Sequence, residues 1–138
     1  LKIDLFGFRT VGYQVNETFF DYKGNLPHIE MLDRLKNYKF GLLQYSQSDY
    51  NNEYCAPIKL YEYLFYGCIV LSVNRNRGLT SLETKYPGII YFLDDLNFSY
   101  DVNVLDKIKF NSKSAERCMT DALQTNTALL SRLNSDNF

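Results

Sequence analysis

The sequence predicts an α/β fold built on an open, doubly wound, mostly parallel sheet, and three observations carry that prediction. Short apolar runs alternate with stretches whose apolar residues recur every three or four positions. That alternation is the pattern of βα repeats and of a parallel sheet. Glycines close the first, second and fifth apolar-periodic segments, at Gly7, Gly24 and Gly67. Finally, 46% hydrophobic and 22% charged residues is the balance of a globular, soluble domain. With 138 residues, the chain reads as one domain over residues 1–138, large enough to bury roughly two-thirds of its unfolded surface.

Leu1 to Phe6 reads as a strand ending at Gly7, and a weaker strand falls within Val15 to Tyr22, closed by Gly24. Between Pro27 and Asn37, Ile29, Leu32 and Leu35 recur every three positions, a short amphipathic helix. Phe40 to Leu43 is the third strand, and the polar Gln44 to Cys55 that follows is loop-like. Pro57 suits the first turn of a helix, where its missing N–H is no loss. Leu60 and Leu64 form that helix's buried stripe, with Ile58, Tyr61 and Phe65 around it, and Gly67 caps its end. Ile69 to Val73 is a buried strand. A turn at Asn74 to Gly78 leads to a short helix near Thr80 to Lys85. Gly88 to Leu93 is the last strand, and Asp94 and Asp95 form an acidic turn and helix cap. From about Ser112 to Leu133 a helix carries Ala115, Met119, Ala122, Leu130 and Leu133 on one face.

Five strands with crossover helices make one open sheet. Ligands of such sheets sit beyond the carboxyl ends of the strands, near helix N-termini. The segments at those ends are Gly7 to Thr10, Gly24 to His28, Gln44 to Lys59 and Asn74 to Thr80.

Several function classes drop out. A net charge of −1 leaves no footprint for nucleic acid or an anionic membrane, although two or three side chains could still hold one diphosphate. Cys55, Cys68 and Cys118 have neither an even count nor CxxC spacing, which argues against a disulfide framework and a zinc site. His28 is the sole histidine, so no His-rich metal centre forms, and no serine or cysteine sits in a nucleophile motif. No GxGxxG follows any strand, which speaks against a dinucleotide-dependent oxidoreductase. No long apolar run or signal peptide is present, so a cytoplasmic location with no transmembrane segment is expected. The chain opens at Leu1, directly in a strand-like run, and so reads as a piece of something longer.

The segment Ala56 to Gly67 carries most of the chemistry. Lys59 and Glu62, three apart, share the polar side of a helix that buries Leu60 and Leu64. Free N–H groups at the helix start, with Lys59 in the first turn, make an anion site suited to a diphosphate. A carboxylate one turn further in can accept hydrogen bonds from two neighbouring ribose hydroxyls. The competing reading is an intrahelical Lys–Glu pair on a solvated face, worth about 0.2–0.5 kcal/mol.

The run APIKLYEYLFYGCIVLS resembles the P-x-K-(L/F)-x-E-Y-(L/M)-x-x-G segment of group 1 glycosyltransferases, in the C-terminal domain of the GT-B fold. LKIDLFGF is similar to that family's strand-then-glycine element and YKGNLPHIEMLDRL to its G-x-(V/L)-P-x-x-E element. YKFGLLQYS is similar to its (A/C)-D-(I/V)-G strand and RNRGLTSLE to its Gly-containing loop, so the resemblance runs from Leu1 to about Leu93. It implies transfer of a hexosyl group from a nucleotide-diphospho-sugar to a polysaccharide or glycolipid acceptor, as in bacterial surface polysaccharide synthesis. Retention of anomeric configuration and no metal or other cofactor are implied too. The implied partner is a missing N-terminal acceptor domain, through which the protein could lie peripherally at the inner face of the membrane.

Position by position, the resemblance makes Glu62 the residue binding the ribose hydroxyls. Lys59, with Pro57 and Ile58, becomes the diphosphate-facing end, and Lys59 and Glu62 the catalytic pair. Leu26, Pro27 and His28 match the loop where the base packs, and Gly7 and Phe8 the first glycine loop. Tyr45 to Tyr54 match the loop approaching the donor sugar, with Tyr45, Glu53 and Tyr54 its candidate contacts. In many members a glutamate eight positions before the ribose-binding one faces the sugar; here that position is Tyr54, with Glu53 beside it. The family's preceding strand has no counterpart before Leu1, so the first strand of that domain is absent. A non-catalytic domain binding a nucleotide or a protein partner is the alternative that these departures favour. Arg75 and Arg77 flank a turn beside the expected diphosphate, and would either contact it or stay solvated.

Overall fold

The computed structural model describes residues 3–6, 18, 20–44, 54, 57–96 and 103–135, with side chains of the final helix described as far as residue 128. The chain is α/β with short parallel strands, and it divides into two compact units, Leu1–Asn37 and Tyr38–Phe138. Among the described residues its strands pair as two sheets, one of two strands and one of three, where a single sheet of five is expected. The reason lies in the strand sequences, taken unit by unit.

In the first unit β1 (Ile3–Phe6) pairs in parallel with β2 (Phe20–Gly24), and α1 (His28–Leu35) follows. The strand β2 alternates apolar with charged residues, a pattern for one wet face rather than for the middle of a covered sheet. It begins five residues later than Val15 and runs through Gly24. Asp4 and Asp21 are register partners, and like charges side by side would repel. Lys23 lies against both, at 2.5 Å from Asp21 and 3.8 Å from Asp4. The Asp21 hydrogen bond raises the Lys23 pKa above its ordinary value. The guanidinium of Arg34 on α1 stands 6.0 Å over the Phe6 ring.

In the second unit the strands β3 (Phe40–Leu43), β4 (Ile69–Ser72) and β5 (Ile90–Phe92) are parallel in the order β3–β4–β5. That order follows the chain, so the reversal that defines double winding does not occur among these three strands. All four residues of β4 are buried, as a central strand covered on both faces requires. Its alternate residues feed two cores. Val70 joins Leu43, Ile90 and Phe92 under α2 (Ile58–Phe65), α3 (Arg77–Lys85) and α5 (Ser112–Ser135). Ile69 and Leu71 pack with Leu105 of α4 (Val104–Lys107) and with Ile108. Helices α2 and α3 on one face follow from right-handed crossovers in a sheet whose order never turns back.

The helix α2 ends as Gly67 predicts. Gly67 takes φ +78°, Cys68 N–H donates to Tyr63 O at 2.8 Å and Gly67 N–H to Leu64 O at 3.1 Å. These two bonds are the Schellman arrangement that satisfies the last carbonyls. Leu60 and Leu64 are buried as expected, but Ile58 and Phe65 are 78% and 72% exposed. Seven residues apart, those two share one line of the helix, and Leu60 stands about 200° around from Ile58. Cys68 is fully buried as a small core residue.

The helix α3 starts at Arg77, ahead of the expected Thr80, because the Asn76 side chain caps it by accepting from Leu79 N–H at 2.6 Å. Asn111 does the same for α5, accepting from Ser114 N–H at 3.2 Å and donating to Pro87 O at 3.0 Å. Asp94 and Asp95 sit in the acidic turn, and among the described residues the next helix begins at Val104, so neither caps a described helix. Ala115 and Cys118 bury the inner face of α5, with Met119 packed beside them. Leu130 and Leu133 lie beyond the described side chains.

Candidate functional site

Because β3, β4 and β5 are parallel, their carboxyl ends share one edge, where Leu43 opposes Ser72 and Ser72 opposes Phe92. A βαβ crossover brings each following helix back with its N-terminus at that edge, and α2 and α3 both start there. Pro57 is the N-cap residue of α2, at φ −70° and ψ 145°. No side chain of the described residues caps this helix, and its first turn carries no acid. The uncapped start is therefore electropositive, and Lys59 adds a full charge to it.

Lys59 is exposed and Glu62, one turn on, is half-buried. Among the described residues Lys59 makes no ion pair, so the intrahelical Lys59–Glu62 pair is not formed. Leu60, fully buried between them in sequence, and Leu64 fix the rotation of the helix so that Lys59 faces outward. Ile58 stands in water at the helix start.

The neighbouring loops converge on this edge. The guanidinium of Arg77 lies 5.4 Å from the Tyr54 ring, so the residue three before Pro57 meets the start of α3. Arg75 pairs with Asp95 and stacks 4.2 Å over Phe92, which joins the end of β4 to the end of β5. Ser72 Oγ donates to Asn74 O at 2.7 Å. Asn74 Oδ1 is buried without a hydrogen-bond partner, the one such side-chain atom among the described residues. An orphaned buried acceptor costs about 1–3 kcal/mol and asks for an explanation.

Sequence reasoning brought Pro57, Ile58, Lys59, Glu62 and Tyr54 to one place, and the structure keeps them in one unit. Leu26, Pro27 and His28 belong to the other unit. There Pro27 precedes α1 as its N-cap residue, Leu26 is half-buried, and Pro27 and His28 are exposed. Gly7, Phe8, Tyr45 and Glu53 lie outside the described residues. Two features were missed. The stacking of Arg77 on Tyr54 joins residues far apart in sequence and leaves no local signal. Asn74 was read as an ordinary turn residue, which hides its buried carbonyl.

No family model matches the chain, and no curated protein or solved structure matches it. Among the described residues no three of His, Cys, Asp and Glu gather as metal ligands would, and no helix is long and apolar enough to cross a membrane.

Proposed function

We propose that the second unit binds the nucleotide diphosphate of a sugar donor at the start of α2, as the donor-binding half of a GT-B glycosyltransferase. One observation carries the reading: a helix start without a side-chain cap, with an unpaired lysine in its first turn, at the carboxyl edge of a parallel sheet. Free N–H groups and Lys59 would hold the diphosphate, and Glu62, one turn inward, would accept from the ribose hydroxyls.

In the transfer itself, the bond from the anomeric carbon to the diphosphate oxygen breaks while an acceptor hydroxyl oxygen bonds that carbon and passes its proton to an oxygen of the departing diphosphate. The negative charge that develops on the departing diphosphate is what Lys59 and the helix start would stabilise. This chain supplies positioning and part of that neutralisation; the acceptor would be held by another domain.

A second reading, nucleotide binding without turnover, draws on Tyr54. The position where the resembled family places a carboxylate toward the sugar here holds a ring stacked under Arg77. Calorimetric titration with UDP and with GDP tests the shared core of both readings. Saturable binding of one of them, weakened by roughly 1–3 kcal/mol in Glu62→Ala, is expected. No binding of either nucleotide overturns the proposal. Sugar transfer by the full-length protein separates the two readings.

A further inference from the structure

Helix α5 runs from Ser112 to Ser135, but the packing described above belongs to its first half. Ala115 and Cys118 are buried in the core, Met119 packs beside them, and Asp121 and Ala122 are half-buried. From Leu123 to Ala128 every residue is exposed, Leu123 at 68%. Six consecutive residues go more than once round a helix, so no face of this stretch is covered by the core. The backbone nevertheless stays helical to Ser135, an overhang of about 20 Å.

Such an overhang does not hold itself. Isolated helices of this length are marginal in water, and Thr125, Asn126, Thr127, Ser131, Asn134 and Ser135 are weak helix formers. Nor is it made for water. Residues 122–131 include no charged residue, where an exposed helix face ordinarily carries several, and depletion of charge marks the middle of an interface. The helical period places Leu123, Leu129, Leu130 and Leu133 within about 120° of arc. Ala115, Met119 and Ala122 occupy the same arc further back, so the line that packs on the core continues beyond it. Asn126 also falls within the arc, and a polar residue in a seam weakens it.

The arc limits how a partner can lie. Along residues 112–122 it is filled by the core of the same unit, so a second helix parallel to α5 would run into that core. Turned end for end, the second helix runs clear. The arc reads alike in both directions, with Leu123 near one end and Leu133 near the other. We propose that the overhang pairs antiparallel with the same segment of a second copy of this chain, Leu123 of each copy against Leu133 of the other. The two-fold relation makes the contact isologous and closed, and Leu130 of each copy then covers Asn126 of the other. With no charge on residues 122–131, two copies meet there without repulsion. The inference is independent of the nucleotide reading, in which this half of α5 takes no part.

The test is sedimentation velocity of the 138-residue chain between about 10 µM and about 1 mM. A dimer half-formed at about 100 µM is expected, since the interface is smaller than that of a tight complex. Leu123→Glu changes an exposed position of the monomer, and is expected to raise the dissociation constant about tenfold or more while leaving amides of β3, β4 and β5 in place. In a mixture of isotope-labelled and unlabelled chains, filtered NOEs are expected between Leu123 methyls of one copy and Leu133 methyls of the other. A monomer throughout the range, or a dimer that Leu123→Glu leaves unchanged, overturns the proposal. NOEs that join Leu123 to Leu123 overturn the antiparallel pairing.

Discussion

The aromatic ring of Tyr63 fills the space where a side chain at Gly41 would begin. A Cβ placed on Gly41 would lie 2.7 Å from Tyr63 Cδ1 and closer still to Cγ and Cδ2, and the Tyr63 hydroxyl reaches Leu42 O at 3.4 Å. Strand β3 and helix α2 are thus spaced by one ring against bare backbone. Gly41→Ala is expected to cost about 1–3 kcal/mol, read from the urea midpoint. Adding Tyr63→Leu should recover part of that loss, a favourable coupling in the double-mutant cycle.

Tyr86, almost wholly buried at the end of α3, donates to Asp121 of α5 at 2.5 Å, and Lys85 joins the same carboxylate at 3.0 Å. The Tyr86 hydrogen bond, helped by Lys85, holds the Asp121 carboxyl below its ordinary value. A depressed carboxylate adds stability above its unfolded pKa and loses it as pH falls through the folded one. Acidification below about pH 4 should therefore lower the urea midpoint more steeply in the native chain than in Asp121→Asn. Parallel slopes would remove this pair from the acid limb.

Helix α3 depends on a single side chain for its first turn. Asn76→Ala removes the acceptor of Leu79 N–H and is expected to cost about 1 kcal/mol. Asn76→Asp keeps an acceptor and places a negative charge at a helix start, so it should stay near the native midpoint. Thermal unfolding of the two variants checks both.

If a diphosphate sits at the start of α2, Lys59→Ala should weaken UDP about tenfold while leaving uridine unaffected. Calorimetry with both compounds reads the difference. An equal loss for uridine would place the role of Lys59 in the fold rather than at the phosphates.

Much of the second unit was legible in the sequence, for physical reasons. A run such as Ile69 to Ser72 is apolar throughout because both faces of a central parallel strand are covered, and Gly67 marks its helix end because only glycine takes φ +78° cheaply. What stayed hidden was pairing. Nothing within Phe20–Gly24 announces that its partner is β1, since strand pairing is settled by contacts distant in sequence. The start of α3 was read as a turn because Gly78 lies in its first turn, although Asn76 was there to cap it. At the candidate site, spacing alone left Lys59 and Glu62 open between a solvated pair and a ligand site, and the family resemblance singled them out. The stacking of Arg77 on Tyr54 was not legible, for it depends on how two crossovers return to the same edge.

The core beneath α2 and α3 is closed by Ala115 and Cys118, which are among its last members in the chain. During synthesis this order postpones burial. Leu43, Leu60 and Leu64 leave the ribosome long before the helix that covers them exists. A growing chain must carry that apolar face in water, or on a chaperone, until α5 has been made. Truncated products that stop short of Ser112 would keep it permanently open and tend to aggregate. A closed core in the second unit is therefore available only after α5 has been made.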